Sequence, residues 1–235
     1  MPLLQQMRDT IARWEAAQDR RAIFLSCYAM MTENMLAAIE KEEFHDGPWV
    51  RRLLHRFAEY YFDALAEYEQ SPETSPAPWR IAHDAAARHE TMTLQNLFLG
   101  INAHINNDLA LTLVDVLEDW DVLPQQIRRT RHEDYTRVNH VIAETIDAVQ
   151  QEVVERYTPA LHLVDTLLGH ADEWALAHFV ARWREQVWMN AESLLATPRH
   201  SEQRAGIAAL FEAMSAERAN AVLLTGGVKA LKTLW

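Results

Sequence analysis

Apolar side chains return every three to four positions along almost the whole chain, the spacing that lines one face of an α-helix. Over 19–42 this rhythm runs through Ile23, Phe24, Tyr28, Met31, Met35 and Ile39, and over 49–69 through Trp49, Leu53, Phe57, Tyr60, Tyr61 and Leu65. The scarcity of glycine points the same way. Only 6 of 235 residues are glycine, where about 7% is usual. That is too few for the tight turns of sandwiches and barrels or for a dinucleotide-binding loop. The pattern predicts an all-α protein, a single-domain multi-helix bundle of about seven to nine helices spanning 1–235. A core of this size buries roughly 70% of the surface of the unfolded chain and needs no staple.

The helix stops are as clear as the periodicity. His45-Asp46-Gly47-Pro48 ends the second helix, and Pro48 suits the first turn of the third. Three prolines within 71–78 mark a loop. A short helix then covers 79–88. The most apolar helix, 91–117, follows, and its composition predicts a central position. Leu123-Pro124 marks a turn. Thr130-Arg131-His132-Glu133 has capping-box spacing and predicts the start of a long helix that ends near Tyr157, before Thr158-Pro159. Further helices are expected over 160–168, 172–195 and 200–221.

Charge and cysteine usage narrow the function classes. Asp and Glu outnumber Lys and Arg by 34 to 22, for a formal charge of −12, which disfavours nucleic acids and anionic membranes as partners. The basic cluster Arg128, Arg129, Arg131 and His132 is short, lacks interleaved aromatics, and reads as a solvated turn. A lone cysteine, Cys27, excludes an internal disulfide and a cysteine-built zinc site. It lies in an apolar helical run and reads as a buried small hydrophobe. Nothing over residues 1–9 reads as a targeting signal. The best apolar run, 109–117, falls short of the ~20 residues of a membrane span. A soluble, cytoplasmic protein is the expectation, its partner a small-molecule substrate and its oligomeric state open.

The segment Gly100-Ile101-Asn102-Ala103-His104-Ile105-Asn106-Asn107-Asp108-Leu109 departs from this ordinary pattern. Asparagine and aspartate are poor residues for a helix interior because their side chains compete for the backbone. In a buried helix each also needs a partner, or costs about 1–3 kcal/mol. At about 100° per residue, His104, Asp108, Leu111 and Asp115 share one stripe. His104 and Asp108 thus stand as neighbours at the i, i+4 spacing that lets two side chains hold one ion.

The box Gly-x-Asn-Ala-His-Ile-Asn-x-Asp-Leu resembles that of a bacterial family of uncharacterised all-helical proteins. The likeness extends to Asp46-x2-Trp49-Val50, Phe57-x3-Tyr61-Phe62, Trp79 after Pro78, Asp134-x4-Asn139, and Arg182 with Trp188, covering about 44–195. Ala110 stands where the family pattern has a proline after Asp-Leu. The resemblance supplies positions and implies an all-helical fold; it implies no activity.

Candidate residues outside the box follow from residue type. Asp134 and His83 are the expected further metal ligands beside His104 and Asp108. Asp46 is more simply a helix cap, and His89 and His132 read as solvated helix ends. On 172–195, Trp174, His178, Glu185 and Glu192 share a face, either one wall of a cavity or a solvated surface. Arg182 lies at its edge, between Phe179 and Trp183, where it would buttress a buried carboxylate such as Asp108. Asn102, Asn106, Asn107, Trp79 and His178 are the expected lining of a substrate pocket, and His104, Asp108 and Arg182 the expected catalytic groups.

Three functions fit these residues. In the first, a divalent metal (zinc, iron or manganese) held by His104 and Asp108 activates water to hydrolyse an ester or phosphoester. In the second, His104 and Asp108 form a metal-free acid–base pair that isomerises or cyclises an apolar metabolite. In the third, the box is a buried polar network in a non-catalytic helical binding or structural module. The first predicts a bound ion and a loss of stability with chelator; the second predicts a dry cavity near His104 with no ion; the third predicts that both side chains are fully hydrogen-bonded with no adjoining pocket.

Overall fold

The computed structural model describes residues 3–88, 91–157 and 170–225, and among these residues every regular element is helical. In chain order they are α1 (Leu3–Ala16), α2 (Ala22–Glu40), α3 (Gly47–Gln70), α4 (Ala77–Ala87), α5 (Thr93–Ala103), a π-helical turn (His104–Asp108), α6 (Leu109–Val116), α7 (Gln125–Ala148), a second π-helical stretch (Val149–Val154), α8 (Glu155–Tyr157), α9 (His170–Leu195) and α10 (Glu202–Thr225). The expected helix over 160–168 lies outside the described residues.

The rod formed by α5, the π-turn and α6 is the axis of the bundle. Helices α2, α4 and α10 pack on α5, α3 and α9 pack on α6, and α3, α9 and α10 also reach the π-turn. Two apolar clusters meet along this rod. Leu99 and Ala103 belong to one, with Phe24, Leu25, Tyr28, Tyr61 and Trp79. Leu109, Ala110, Leu113 and Leu117 belong to the other, with Trp49, Tyr135 and Trp188. The polar box sits at the joint between them.

Several boundaries carry their cause in the residues. Asp46 caps α3 by accepting from the Trp49 amide at 3.0 Å, and proline occupies the first turn, as expected. At α5, Gln95 Oε1 accepts from the Met92 amide at 2.9 Å. Helix α7, in contrast, begins five residues before the Thr130 box, immediately after Pro124, whose extended backbone (φ −54°, ψ 142°) sets the entry. Once the chain has left Pro124 in helical geometry, nothing delays the helix to Thr130. The basic cluster therefore lies on α7 rather than in a turn. Arg131 is buried there and pairs with Asp119 at 3.1 Å.

Helix α2 is shorter than the helix expected over 19–42, but more apolar. An 18-residue window within Ala22–Glu40 is apolar enough to cross a membrane, yet 67% of it is buried inside the fold. Its apolarity serves the core: α2 packs on α1, α3, α5 and α7. Gly100 lets it approach. A Cβ at that position would fall 2.7 Å from Phe24 Cβ and closer still to the Phe24 ring.

Candidate functional site

The box residues leave α-helical geometry at His104–Asp108 and form one π-turn, which places His104, Asn106, Asn107 and Asp108 in the interior. Such single π-turns inside helices are frequent at functional sites. Asn102 anchors the turn from its N-terminal side. Its Nδ2 donates to the Ser215 carbonyl at 2.8 Å and its Oδ1 accepts from Asn106 Nδ2 at 3.1 Å. Two of the three asparagines are thereby spent on tying α10 to the rod. At the other end Thr112 Oγ1 donates to the Asp108 carbonyl at 2.9 Å.

Asp108 is the hub. It is buried, and N–H groups from three residues converge on its two oxygens. Trp79 Nε1 lies 2.9 Å from Oδ2 and 3.1 Å from Oδ1, Asn107 Nδ2 donates to Oδ1 at 2.9 Å, and His104 Nδ1 lies 3.1 Å from Oδ2. Indole and amide nitrogens can only donate, so Asp108 is an acceptor toward both. The same role toward His104 puts the imidazole proton on Nδ1 and leaves Nε2 with its lone pair.

Aromatic rings enclose His104 on several sides. Its ring stacks on Phe57 at a centroid distance of 3.5 Å and an interplanar angle of 7°. Tyr28 meets it edge-on at 4.3 Å, with Phe24, Trp79 and Tyr61 at 5.8, 6.0 and 6.1 Å. Within this cage Nε2 is fully buried and makes no hydrogen bond, and the Tyr28 hydroxyl is likewise buried and unpaired. Burial lowers the imidazole pKa, against the opposing hydrogen bond and charge of Asp108. Burial also pushes the Tyr28 phenol well above its usual value, reinforced by Asp108 and Tyr61. Both groups are thus neutral at neutral pH. Phe57 is the one ring of the cage with partial solvent exposure.

The structure brings together His104, Asp108, Asn107 and Trp79, with Asn102 and Asn106 alongside, and separates the remaining candidates from them. Asp134 is wholly buried, but its oxygens accept from the backbone amides of His45 at 2.8 Å and Asp46 at 2.6 Å. It ties down the turn between α2 and α3. His83 is buried and stacks on Trp79 at 5.4 Å, with Tyr68 at 4.7 Å and no ring contact to His104. Among the described residues no three His, Cys, Asp or Glu side chains come together to hold a metal ion.

Arg182 and His178 are exposed on α9, as are Glu185 and Glu192, so this face is solvated and Arg182 does not buttress Asp108. The buried arginine of α9 is Arg184. Two residues along a helix turn the side chain by about 200°, so Arg182 and Arg184 occupy opposite faces. His89 and the Trp174 side chain lie outside the described residues. Cys27 is the buried hydrophobe expected, its thiol pushed up to about 12 by burial.

Phe57 and Tyr28, which wall the site, carry no local signal in the sequence. They follow the same helical rhythm as ordinary core residues, and nothing local distinguishes an aromatic that packs on a histidine from one that packs on leucine.

Neither a comparison with curated proteins nor one with solved structures finds a match. A model of the family of unknown function DUF5995 matches residues 2–225, nearly the whole length, and the chain therefore belongs to that family.

Proposed function

We propose that this protein is a metal-free acid–base enzyme that moves a proton within a small apolar substrate, with His104 as the proton acceptor and donor. The observation that carries this reading is the half-satisfied histidine. Asp108 holds Nδ1, and Nε2 is buried with a free lone pair. A buried polar atom without a partner costs stability, and such sites are where chemistry is commonly placed.

In the catalytic step Nε2 takes a proton from an activated carbon of the substrate. The imidazolium so formed is stabilised by Asp108, exchanges its proton with solvent, and returns one proton at another carbon. No other reactant is consumed, so the product is an isomer. The aromatic walls select an apolar body, and Phe57, partly exposed, is the ring that must move for entry. The Tyr28 hydroxyl, kept protonated, is a ready hydrogen-bond donor to an oxygen on the substrate.

The donor set argues for this reading over metal-assisted hydrolysis. The N–H groups of Trp79 and Asn107 occupy the carboxylate lone pairs that a cation would need, Asp134 is engaged by backbone amides, and His83 stacks on Trp79 without ring contact to His104. A second reading has its own support. Asp108 is fully satisfied, as a purely structural network requires.

Deuterium incorporation separates the two. The protein is incubated in D2O with an apolar metabolite extract, and the extract is analysed by mass spectrometry. The acid–base reading predicts a compound that gains deuterium only with active protein. His104→Gln lowers that rate by about 10²–10⁴-fold while the variant keeps a cooperative melt. Labelling that is absent, or equal with the wild type and His104→Gln, would favour the structural network.

A further inference from the structure

The guanidinium of Arg184 is a buried cation with no counterion among the described residues. The residue is 5% exposed, and the described groups that it touches are neutral. Nε donates to Asn139 Oδ1 at 2.7 Å and Nη2 to the Tyr135 carbonyl at 2.7 Å. The Tyr135 ring lies against the guanidinium, 4.2 Å from Cζ to ring centroid. Tyr135 is itself fixed, since its hydroxyl donates to the Arg184 carbonyl at 2.6 Å. No Asp or Glu among the described residues pairs with Arg184, although acids outnumber bases in the chain.

A guanidinium has five N–H donors in a rigid fork. The side edge, Nε and one Nη2 hydrogen, is spent on Asn139 and Tyr135. The end edge, Nη1 and the second Nη2 hydrogen, has no acceptor among the described residues. That edge is the one that receives two oxygens of a carboxylate or phosphate side by side. Burying a charge away from water is costly unless it is paired, and burial lowers the affinity of this guanidinium for its proton. The interior has instead invested in aiming it: two hydrogen bonds and an aromatic face hold one orientation.

We propose that Arg184 is the anchor of a small-oxyanion site, which takes the carboxylate or phosphate group of a ligand end-on, with Asn139 and Tyr135 as positioning residues. The site lies between α7 and α9 and uses none of the groups around His104, so it stands or falls apart from the acid–base reading. With a net charge of −12, the surface as a whole repels anions, and a saturable response to one therefore reports a local site.

The experiment titrates the full-length protein with sodium acetate and with sodium phosphate, sodium chloride holding ionic strength constant. Two signals are followed, the melting midpoint and the Arg184 Nε–H resonance. The expected result is a saturable rise in midpoint on the order of 4 °C at about ten times Kd with a matching shift of the Nε–H resonance. Arg184→Met abolishes both responses, and His104→Gln leaves them intact. Whether acetate or phosphate saturates first names the ligand class. A flat wild-type response to both anions, or an equal rise in Arg184→Met, overturns the proposal. If Arg184→Met does not fold, the wild-type resonance decides alone: saturable movement supports the site, and none refutes it.

Discussion

At Asp108 two oxygens serve N–H donors from Trp79, Asn107 and His104, and removing the carboxylate strands all of them where water does not reach. Asp108→Ala is therefore expected to cost about 3–5 kcal/mol, the range for breaking a buried charged network on one side. Asp108→Asn should cost less, because its amide oxygen still accepts. Urea denaturation at pH 7 measures both; an unchanged midpoint for the alanine variant would mean that solvent replaces the lost acceptor. At this scale the site was partly legible. Three asparagines, a histidine and an aspartate inside an apolar helix are improbable without partners, and that alone marks the segment 102–108. The partners were not legible. Trp79 reaches Asp108 from another helix, and a hydrogen bond across 29 positions leaves no local trace. The sequence does not tell Arg182 from the buried Arg184, because two arginines so close on one helix differ only in rotational phase.

The central rod sets the next scale. Its α-helix gives way to a π-turn at His104 and resumes at Leu109, whereas the sequence reads as one helix over 91–117. Length, composition and central placement were legible from the apolar content. The π-turn was not, because it depends on which polar groups find partners in other helices. Gly100, one turn before it, controls how closely α2 and α5 approach. Gly100→Ala gains about 1 kcal/mol in helix propensity, but its methyl group meets the Phe24 side chain. Overpacking of this kind costs about 1–3 kcal/mol, so a net loss is expected in thermal or urea unfolding. Phe24 also lies edge-on to His104 at 5.8 Å, so the same substitution should displace the His104 ring signals in an NMR spectrum. A more stable variant with unmoved His104 signals would show that α2 can retreat without strain.

Across the whole molecule, two apolar clusters meet at a polar joint that contains a histidine, and a second buried histidine lies behind Trp79. This arrangement fixes how stability responds to acid. Burial lowers the His83 pKa to about 3, with Arg21 adding to the shift and Asp19 opposing it; burial lowers that of His104 as well. Both groups bind a proton more readily unfolded than folded. Their contribution is complete above the unfolded pKa of about 6.5 and is lost as pH falls below it. For His83 the loss grows by about 1.4 kcal/mol per pH unit and reaches about 2 kcal/mol between pH 7 and pH 5. His104 adds to it with the same sign. His83→Phe keeps an aromatic ring against Trp79 and Tyr68 but has no proton to accept. Urea unfolding at pH 7 and pH 5 should show about 2 kcal/mol less acid destabilisation in this variant than in the wild type. If His83→Phe loses as much stability between pH 7 and pH 5 as the wild type, His83 is reached by water and is not the buried neutral group the structure places there.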